Sequence, residues 1–358
     1  MKRSDLMDSD RYDAIIEELI KQMGFPLFVK PCNAGSSNGT SKAENKKVFL
    51  IVSRDESDNV SATLKQTVLY TSEFAEKYSG EYLFCEVDIS PSLFKAAKPP
   101  KDADKEAKKN SKKFEKILDE RMRVVTIYGI QNTQAIFMLP PEGYVIKDFT
   151  YIPCANVGEF DALLSTYNEE ISGMQGMIEE VKAASGLEKV SAIDALYEGT
   201  NSTYRYLLTD LMREVEKLDK KNETGLVGKY IMAIATSDAM DAYMARKPEK
   251  VASIYEKSAK HKMLTDDQKQ QSYYAAAFVV GSNTPTPEET KQIISYLEKA
   301  IEINPESNIG KHCAGLLETV KEFKVRQDEA EAQKKAQEAE EKKNKKKSTA
   351  EETAPVEE

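Results

Sequence analysis

Short apolar runs alternate with an amphipathic stretch between residues 47 and 152. A continuous apolar run of about five residues is typical of a strand buried on both faces. The predicted strands are Val48–Val52, Tyr82–Val87, Val124–Tyr128, Ala135–Leu139 and Tyr144–Ile146. Ser61–Tyr78 instead places its apolar residues at helical spacing. We therefore predict an α/β domain over residues 47–152.

The second half of the chain has a helical pattern from Val157 onwards. Apolar residues recur at intervals of three and four, and prolines become rare. This pattern predicts an all-α domain over residues 157–325. Lys, Glu, Gln and Ala dominate residues 326–358, so we expect an extended helix that frays into a disordered, charged tail.

The charge balance disfavours one class of partner. Among 358 residues there are 51 Lys and Arg against 60 Asp and Glu, a formal net charge of −9. Nucleic-acid binding depends on cations that neutralise phosphates, so we expect no nucleic-acid partner. No run approaches the roughly 18–20 apolar residues of a membrane-spanning helix, so we expect no membrane span and a cytoplasmic location.

Metal ligands and redox thiols are scarce. The four cysteines, Cys32, Cys85, Cys154 and Cys313, are far apart in sequence and form no Cys-x-x-Cys motif. Only two histidines accompany them. This spacing does not fit a zinc site, so we predict no metal centre.

The phrases of residues 46–152 resemble the thioredoxin superfamily. The resemblance rests on four short segments: the helical segment Val68–Tyr78, the strand end Val87-Asp88, the segment Tyr128–Thr133 and the hairpin segment Pro141–Ile146. It implies a thioredoxin-like fold for the α/β domain.

The redox positions of that family are degenerate in this chain. The two cysteine positions fall at Asp58 and Ser61, and Gln134 stands where the family has a cis-proline. A thiolate is the nucleophile in dithiol exchange, so dithiol oxidoreductase activity is excluded. Asp58 or Ser61 can instead cap the following helix.

Two helical phrases resemble tetratricopeptide repeats. Ile294–Ser307 is similar to the second helix of such a repeat with its closing Asn-Pro, and Pro248–Ala259 resembles a degenerate copy. The resemblance implies stacked helical pairs with a groove for protein partners. A simple helical bundle is the alternative interpretation.

The most specific phrase lies near the start of the chain. Gly24–Pro31 and the Gly/Ser-rich stretch Asn33–Lys42 closely resemble the ATP-grasp segment of D-alanine:D-alanine ligases, over about residues 11–47. Glycines allow close backbone approach, and unpaired N–H groups can cradle phosphate oxygens. The resemblance implies that Lys30 contacts the nucleotide. It also implies a phosphate loop made of Gly35, Ser36, Ser37 and Gly39.

The ligase resemblance is short. We interpret residues 1–46 as a ligase-like fragment, fused to the chain or standing in place of an original N-terminus. In the second case a lost export signal would imply a periplasmic or exported protein. Glu302-Ile303-Asn304 matches the metal-binding phrase of these ligases, but it ends a helix with repeat-like sequence, so we reject it.

The sequence therefore supports two hypotheses about function. The first is a non-catalytic, thioredoxin-like binding or scaffold protein that contacts protein partners through its helical domain. The alternative is an ATP-binding remnant of a D-alanine:D-alanine ligase. No cofactor is expected under the first hypothesis, and ATP with Mg²⁺ is expected only if the N-terminal fragment is functional. The oligomeric state cannot be predicted.

Overall fold

The computed structural model describes residues 47–53, 60–78, 80–99, 101–130, 134–245 and 247–351. The chain divides into two compact units between Leu211 and Met212. In the described residues of the first unit, a small sheet is flanked by helices. In chain order these elements are β1 (Lys47–Ser53), α1 (Val60–Leu64), a π-helical segment (Lys65–Leu69), α2 (Ser72–Tyr78), β2 (Tyr82–Asp88), α3 (Pro91–Ala97), α4 (Lys105–Ile127), β3 (Ala135–Leu139), β4 (Lys147–Asp148), α5 (Val157–Ala183), α6 (Gly186–Gly199) and a 3-10 helix (Ser202–Leu208).

The sheet has the strand order β2-β1-β3-β4. β1 runs parallel to β2, with Lys47 opposite Tyr82 and Ser53 opposite Asp88. On its other edge β1 is antiparallel to β3, which is antiparallel to β4 in turn. β1 is thus an interior strand, hydrogen-bonded on both edges.

The two faces of β1 enter different cores. Leu50 and Val52 pack with β3 and with partly buried residues of α4, such as Val124 and Val125. Phe49 points to the opposite face, as successive strand residues do. Its ring centroid lies 6.1 Å from that of Phe74. Other ring centroids within 6 Å of Phe49 are those of Tyr82 at 4.9 Å, Phe84 at 5.7 Å, Phe149 at 5.9 Å and Phe160 at 5.9 Å.

The described part of the second unit is helical. Its elements are the end of α7 (Thr209–Leu218), which contains the division, and then α8 (Val227–Met244), α9 (Pro248–Ala259), α10 (Asp266–Gly281), α11 (Pro287–Ile303) and α12 (Asn308–Glu351). From α8 onwards each helix packs against the next. Capping boxes define two helix starts: Thr265 with Gln268 begins α10, and Thr286 with Glu289 begins α11.

Two predicted strands were wrong. Val124–Tyr128 is not a strand, because α4 continues to Ile127 and buries Leu118, with Met122 and Val125 partly buried on the same helix. A short apolar run has no periodicity that separates strand from buried helix. Tyr144–Ile146 is also outside any strand, and the hairpin pairs through Lys147–Asp148 instead. Pro140–Gly143 forms a turn before this hairpin strand, since the Gly143 amide donates to the Pro140 carbonyl at 3.0 Å.

The helix predicted over Ser61–Tyr78 is interrupted. Regular α-helix stops at Leu64, a π-helical segment follows, and α2 restarts at Ser72. The Thr71 hydroxyl accepts a hydrogen bond from the Phe74 amide at 3.2 Å, which is the geometry of a helix N-cap. Thr71 is therefore the local signal that ends one helix and begins another.

The helices predicted after Val157 are confirmed, with Pro248–Ala259 at its expected bounds. The domain boundary predicted at residues 152–157 lies inside the first unit, because Phe160 of α5 packs into the aromatic core beneath β1. α12 extends to Glu351, through most of the predicted tail. Within the described ranges, no helix is both long and apolar enough to cross a membrane.

Two separate leucine-to-alanine variants test whether β1 lies in the core. Leu50 is fully buried, whereas Leu187 is 39% exposed on α6. We expect Leu50→Ala to lower the free energy of unfolding by about 2–5 kcal/mol, because it leaves a cavity. Leu187→Ala should change it by about 0.5 kcal/mol or less. Urea unfolding followed by circular dichroism measures both, and equal shifts would contradict the assignment of Leu50 to the core.

Candidate functional site

Most residues of the predicted nucleotide and redox sites lie outside the described ranges. These are Lys30, Gly35, Ser36, Ser37, Gly39 and Asp58. Ser61 lies in the first turn of α1, which begins at Val60, so it does not occupy the capping position before that helix. Gln134 directly precedes β3 and is buried, with 4% of its surface exposed.

Gln134 lies at the end of the sheet where β1 and β2 finish. The first residue of β3, Ala135, pairs with Val52 near the carboxyl end of β1, and Ser53 pairs with Asp88 at the end of β2. Ligands of open α/β sheets bind at the carboxyl ends of parallel strands. We therefore expect functional side chains of the first unit at the carboxyl ends of β1 and β2.

A half-buried carboxylate, that of Glu86, lies near this end of the sheet. Glu86 of β2 accepts a hydrogen bond from the Ser53 hydroxyl at 2.7 Å and one from the Lys65 ammonium at 3.0 Å, both on Oε1. The side chains of Lys65 and Glu86 are 12% and 25% exposed. No sequence motif marks this cluster, because its three members come from β1, the π-helical segment and β2.

The surroundings of Glu86 determine its charge. Burial acts to raise its pKa, but hydrogen bonds from Tyr70, Ser53 and Lys65 outweigh burial and lower the pKa below the usual range for glutamate. Glu86 is therefore ionised at neutral pH and neutralised by Lys65. The ion pair joins the π-helical segment to β2. With its lowered pKa, Glu86 is a poor proton acceptor.

Polar groups of β2, of the residues after it and of α4 are hydrogen-bonded to one another at the end of β2. Arg121 of α4 donates to the Asp88 carbonyl at 2.6 Å, and its guanidinium lies 3.4 Å from the Asp88 carboxylate. The Ser90 amide donates to the same carboxylate at 2.8 Å. The polar groups at this edge are thus engaged in holding the strand ends and the start of α3.

The described residues offer no metal-binding cluster. No group of three or more His, Cys, Asp or Glu among them could hold an ion. Cys85, Cys154 and Cys313 are buried free thiols, and burial raises the pKa of Cys154 and Cys313. A thiol with a raised pKa carries little thiolate, so these two are poor nucleophiles at neutral pH.

The ligase-like phrase at Glu302–Asn304 has a structural role. Asn304 follows the last residue of α11, and its side-chain oxygen accepts hydrogen bonds from the Glu306 and Ser307 amides, both at 3.2 Å. Gln270 of α10 donates to the Asn304 carbonyl at 2.7 Å. These contacts define a helix-ending turn that is tied to the neighbouring helix.

Comparison with protein families identifies two separate segments. A family described as D-ala D-ala ligase C-terminus matches residues 2–55, and one described as Uncharacterised protein C-terminal domain matches residues 226–327. The first segment includes β1, and the second begins one residue before α8 and ends within α12. The resemblance of the N-terminal segment to D-alanine:D-alanine ligases is confirmed.

Curated relatives of the chain are named as the same kind of ligase. D-alanine–D-alanine ligase from Oceanobacillus iheyensis is 24% identical over 213 residues, which cover 59% of this chain and 51% of the relative. The ligase from Lactobacillus gasseri is 23% identical over 232 residues, covering 62% and 56%. A Prochlorococcus marinus ligase is 48% identical over 46 residues, or 13% of each chain. No solved structure matches the chain. The chain spans about half the length of the relatives that it matches over long alignments.

The expectation of a non-catalytic, thioredoxin-like binding or scaffold protein was wrong. Relatives named as ligases match 59% and 62% of the chain, and they favour the alternative hypothesis of a ligase-derived, ATP-binding chain. The glycine- and serine-rich segment is a more specific signal than the missing cysteine pair or the repeat-like helices.

The charge state of Glu86 generates a pH-dependent prediction. Its folded-state pKa is lowered, so the carboxylate stabilises the fold above the ordinary pKa of glutamate, and this contribution is lost as pH falls through the folded-state pKa. Glu86→Gln should therefore cost about 1 kcal/mol at pH 7 and progressively less below about pH 4. Urea unfolding of Glu86→Gln and the unaltered chain, at pH 7 and below about pH 4, measures the difference in the free energy of unfolding.

The control for this prediction is Glu76→Gln, an identical change at an exposed residue of α2. It should leave stability nearly unchanged at both pH values. A Glu86→Gln effect that stayed constant from pH 7 to acid would show that the lost charge is not responsible.

Proposed function

We propose that the chain binds a nucleoside triphosphate, as its magnesium complex, through the N-terminal ligase-like segment. The observation that carries the proposal is the family match over residues 2–55, which contains the whole glycine- and serine-rich stretch. A short alignment with one ligase relative reaches 48% identity over 46 residues, against 24% over 213 residues for a long alignment with another.

The chemistry of the segment fits a polyphosphate ligand. Gly35 and Gly39 allow the backbone to approach the phosphates closely, and the main-chain N–H groups around Ser36 and Ser37 are suited to phosphate oxygens. Lys30 would supply a compact positive charge for the same ligand. These roles are taken from the ligase resemblance, residue by residue.

The proposal is restricted to binding. Phosphoryl transfer depends on metal-bound charge as well as on positioning, and metal ligands for it are mainly carboxylates. The stretch from Lys30 to Lys42 contains no acidic residue. Phosphate release on addition of D-alanine and ATP would show whether the chain also performs ligation.

We also propose a thioredoxin-like fold for the sheet and tetratricopeptide-like stacking for the helices of the second unit. The parallel β1-α-β2 unit, followed by α4 and the antiparallel pair β3-β4, supports the first proposal. The sequential packing of α9 on α10, of α10 on α11 and of α11 on α12 supports the second. A cytoplasmic location and protein partners for the helices stay predictions.

Calorimetric titration of the full chain with Mg²⁺-ATP tests nucleotide binding. We expect saturable binding that Lys30→Ala weakens at least about tenfold, because it removes a charge-assisted contact to phosphate. Lys21→Ala makes the same change outside the resembling loop and should bind ATP as the unaltered chain does. Absence of binding by the unaltered chain, or equal loss in both variants, would refute the proposal.

A further inference from the structure

The second unit contains an apolar groove between α10 and α12, with α11 as its floor. Its cavity volume is about 360 Å³. Ile293 and Leu297 of α11 form the floor and are almost fully buried, with 5% and 1% of their surfaces exposed. All of its lining residues belong to this unit, and all but Pro285 lie on α10, α11 or α12.

Aromatic side chains form the walls of the groove. Phe278 of α10 is 64% exposed, although it is large and apolar, and Phe323 of α12 stands on the other side. The Tyr274 ring lies 6.4 Å from Phe278 and 5.4 Å from His312, measured between ring centroids. Apolar surface left in water costs free energy, and concave exposed patches of this kind are typical of ligand sites.

One positive charge lies in the wall of the groove. Arg326 of α12 forms no ion pair with any described carboxylate, and its Nε donates only a long hydrogen bond, 3.5 Å, to the Glu322 carbonyl. Its neighbour Lys324, by contrast, is paired with Asp328 at 2.6 Å. A guanidinium is always charged and matches a carboxylate with two parallel hydrogen bonds, so Arg326 has capacity for an acidic ligand.

The backbone next to Arg326 is fixed in place. Gln327 donates to the Pro285 carbonyl at 2.7 Å and accepts from the Thr290 hydroxyl at 2.8 Å. These two hydrogen bonds hold α12 against the start of α11. The helix backbone that carries Arg326 and Phe323 is therefore fixed in place, which lowers the entropic cost of binding.

We propose that this groove binds a small carboxylic acid with an apolar chain. The carboxylate pairs with Arg326, and the chain lies over Ile293 and Leu297 between Phe278 and Phe323. A volume of about 360 Å³ is at the small end of the range for small-molecule sites. This small volume suits a single short apolar chain.

Calorimetric titration of the full chain with three probes tests the proposal. Decanoate has both the chain and the charge, 1-decanol has the chain alone, and acetate has the charge alone. We expect decanoate to bind at least about tenfold more tightly than decanol, because only decanoate pairs with Arg326. Acetate should not bind measurably. Equal affinity for decanoate and decanol, or no decanoate binding, would overturn the proposal.

Two pairs of variants locate the site. Arg326→Gln should weaken decanoate at least about tenfold and leave decanol unchanged. Lys334→Gln, at an exposed position of the same helix, should alter neither. Gly281→Phe should abolish binding of both probes, since a Cβ at Gly281 lies 3.6 Å from Ile293 in the groove floor. Gly315→Phe enters open space on α12 and should have no effect.

Circular dichroism of each variant checks that the helices remain folded. A folded Gly281→Phe variant that still bound decanoate would place the ligand elsewhere and overturn the assignment. Binding of an amphipathic helical peptide without binding of decanoate would also refute it, because the groove would then be a peptide site.

Discussion

Strand β1 is the constraint on which the first unit depends. It is hydrogen-bonded to β2 on one edge and to β3 on the other, and its side chains enter the cores on both faces of the sheet. β1 is also the part of the ligase-matching segment, residues 2–55, that the structure describes. The segment that resembles a nucleotide-binding element is thus joined directly to the centre of a sheet.

Physical reasoning from sequence predicted the buried elements best. β1 and β3 are predictable because strands buried on both faces are continuous apolar runs. The same criterion failed at Val124–Tyr128, where the run is the buried end of helix α4. It also missed the interruption at Thr71, whose capping hydroxyl is a signal of a single residue. Local chemistry of this kind is visible in the sequence but outweighed by the surrounding apolar spacing.

The candidate sites differ in how far sequence could reveal them. The phosphate-loop residues are contiguous, so their resemblance to ligases was apparent from one phrase. The Glu86 cluster and the groove around Arg326 combine residues from separate elements, and only the fold brings them together. The second family match, residues 226–327, ends at the residue that fixes α12 against α11. The matched segment therefore contains the contacts that shape the groove.

Hydrogen-exchange mass spectrometry of the full chain with and without Mg²⁺-ATP tests where the nucleotide binds. We predict that ATP slows exchange in peptides covering Gly24–Lys42 and leaves residues 226–327 unchanged, because nucleotide binding belongs to the ligase-like segment alone. Unchanged exchange over Gly24–Lys42, or protection confined to the helical unit, would contradict it.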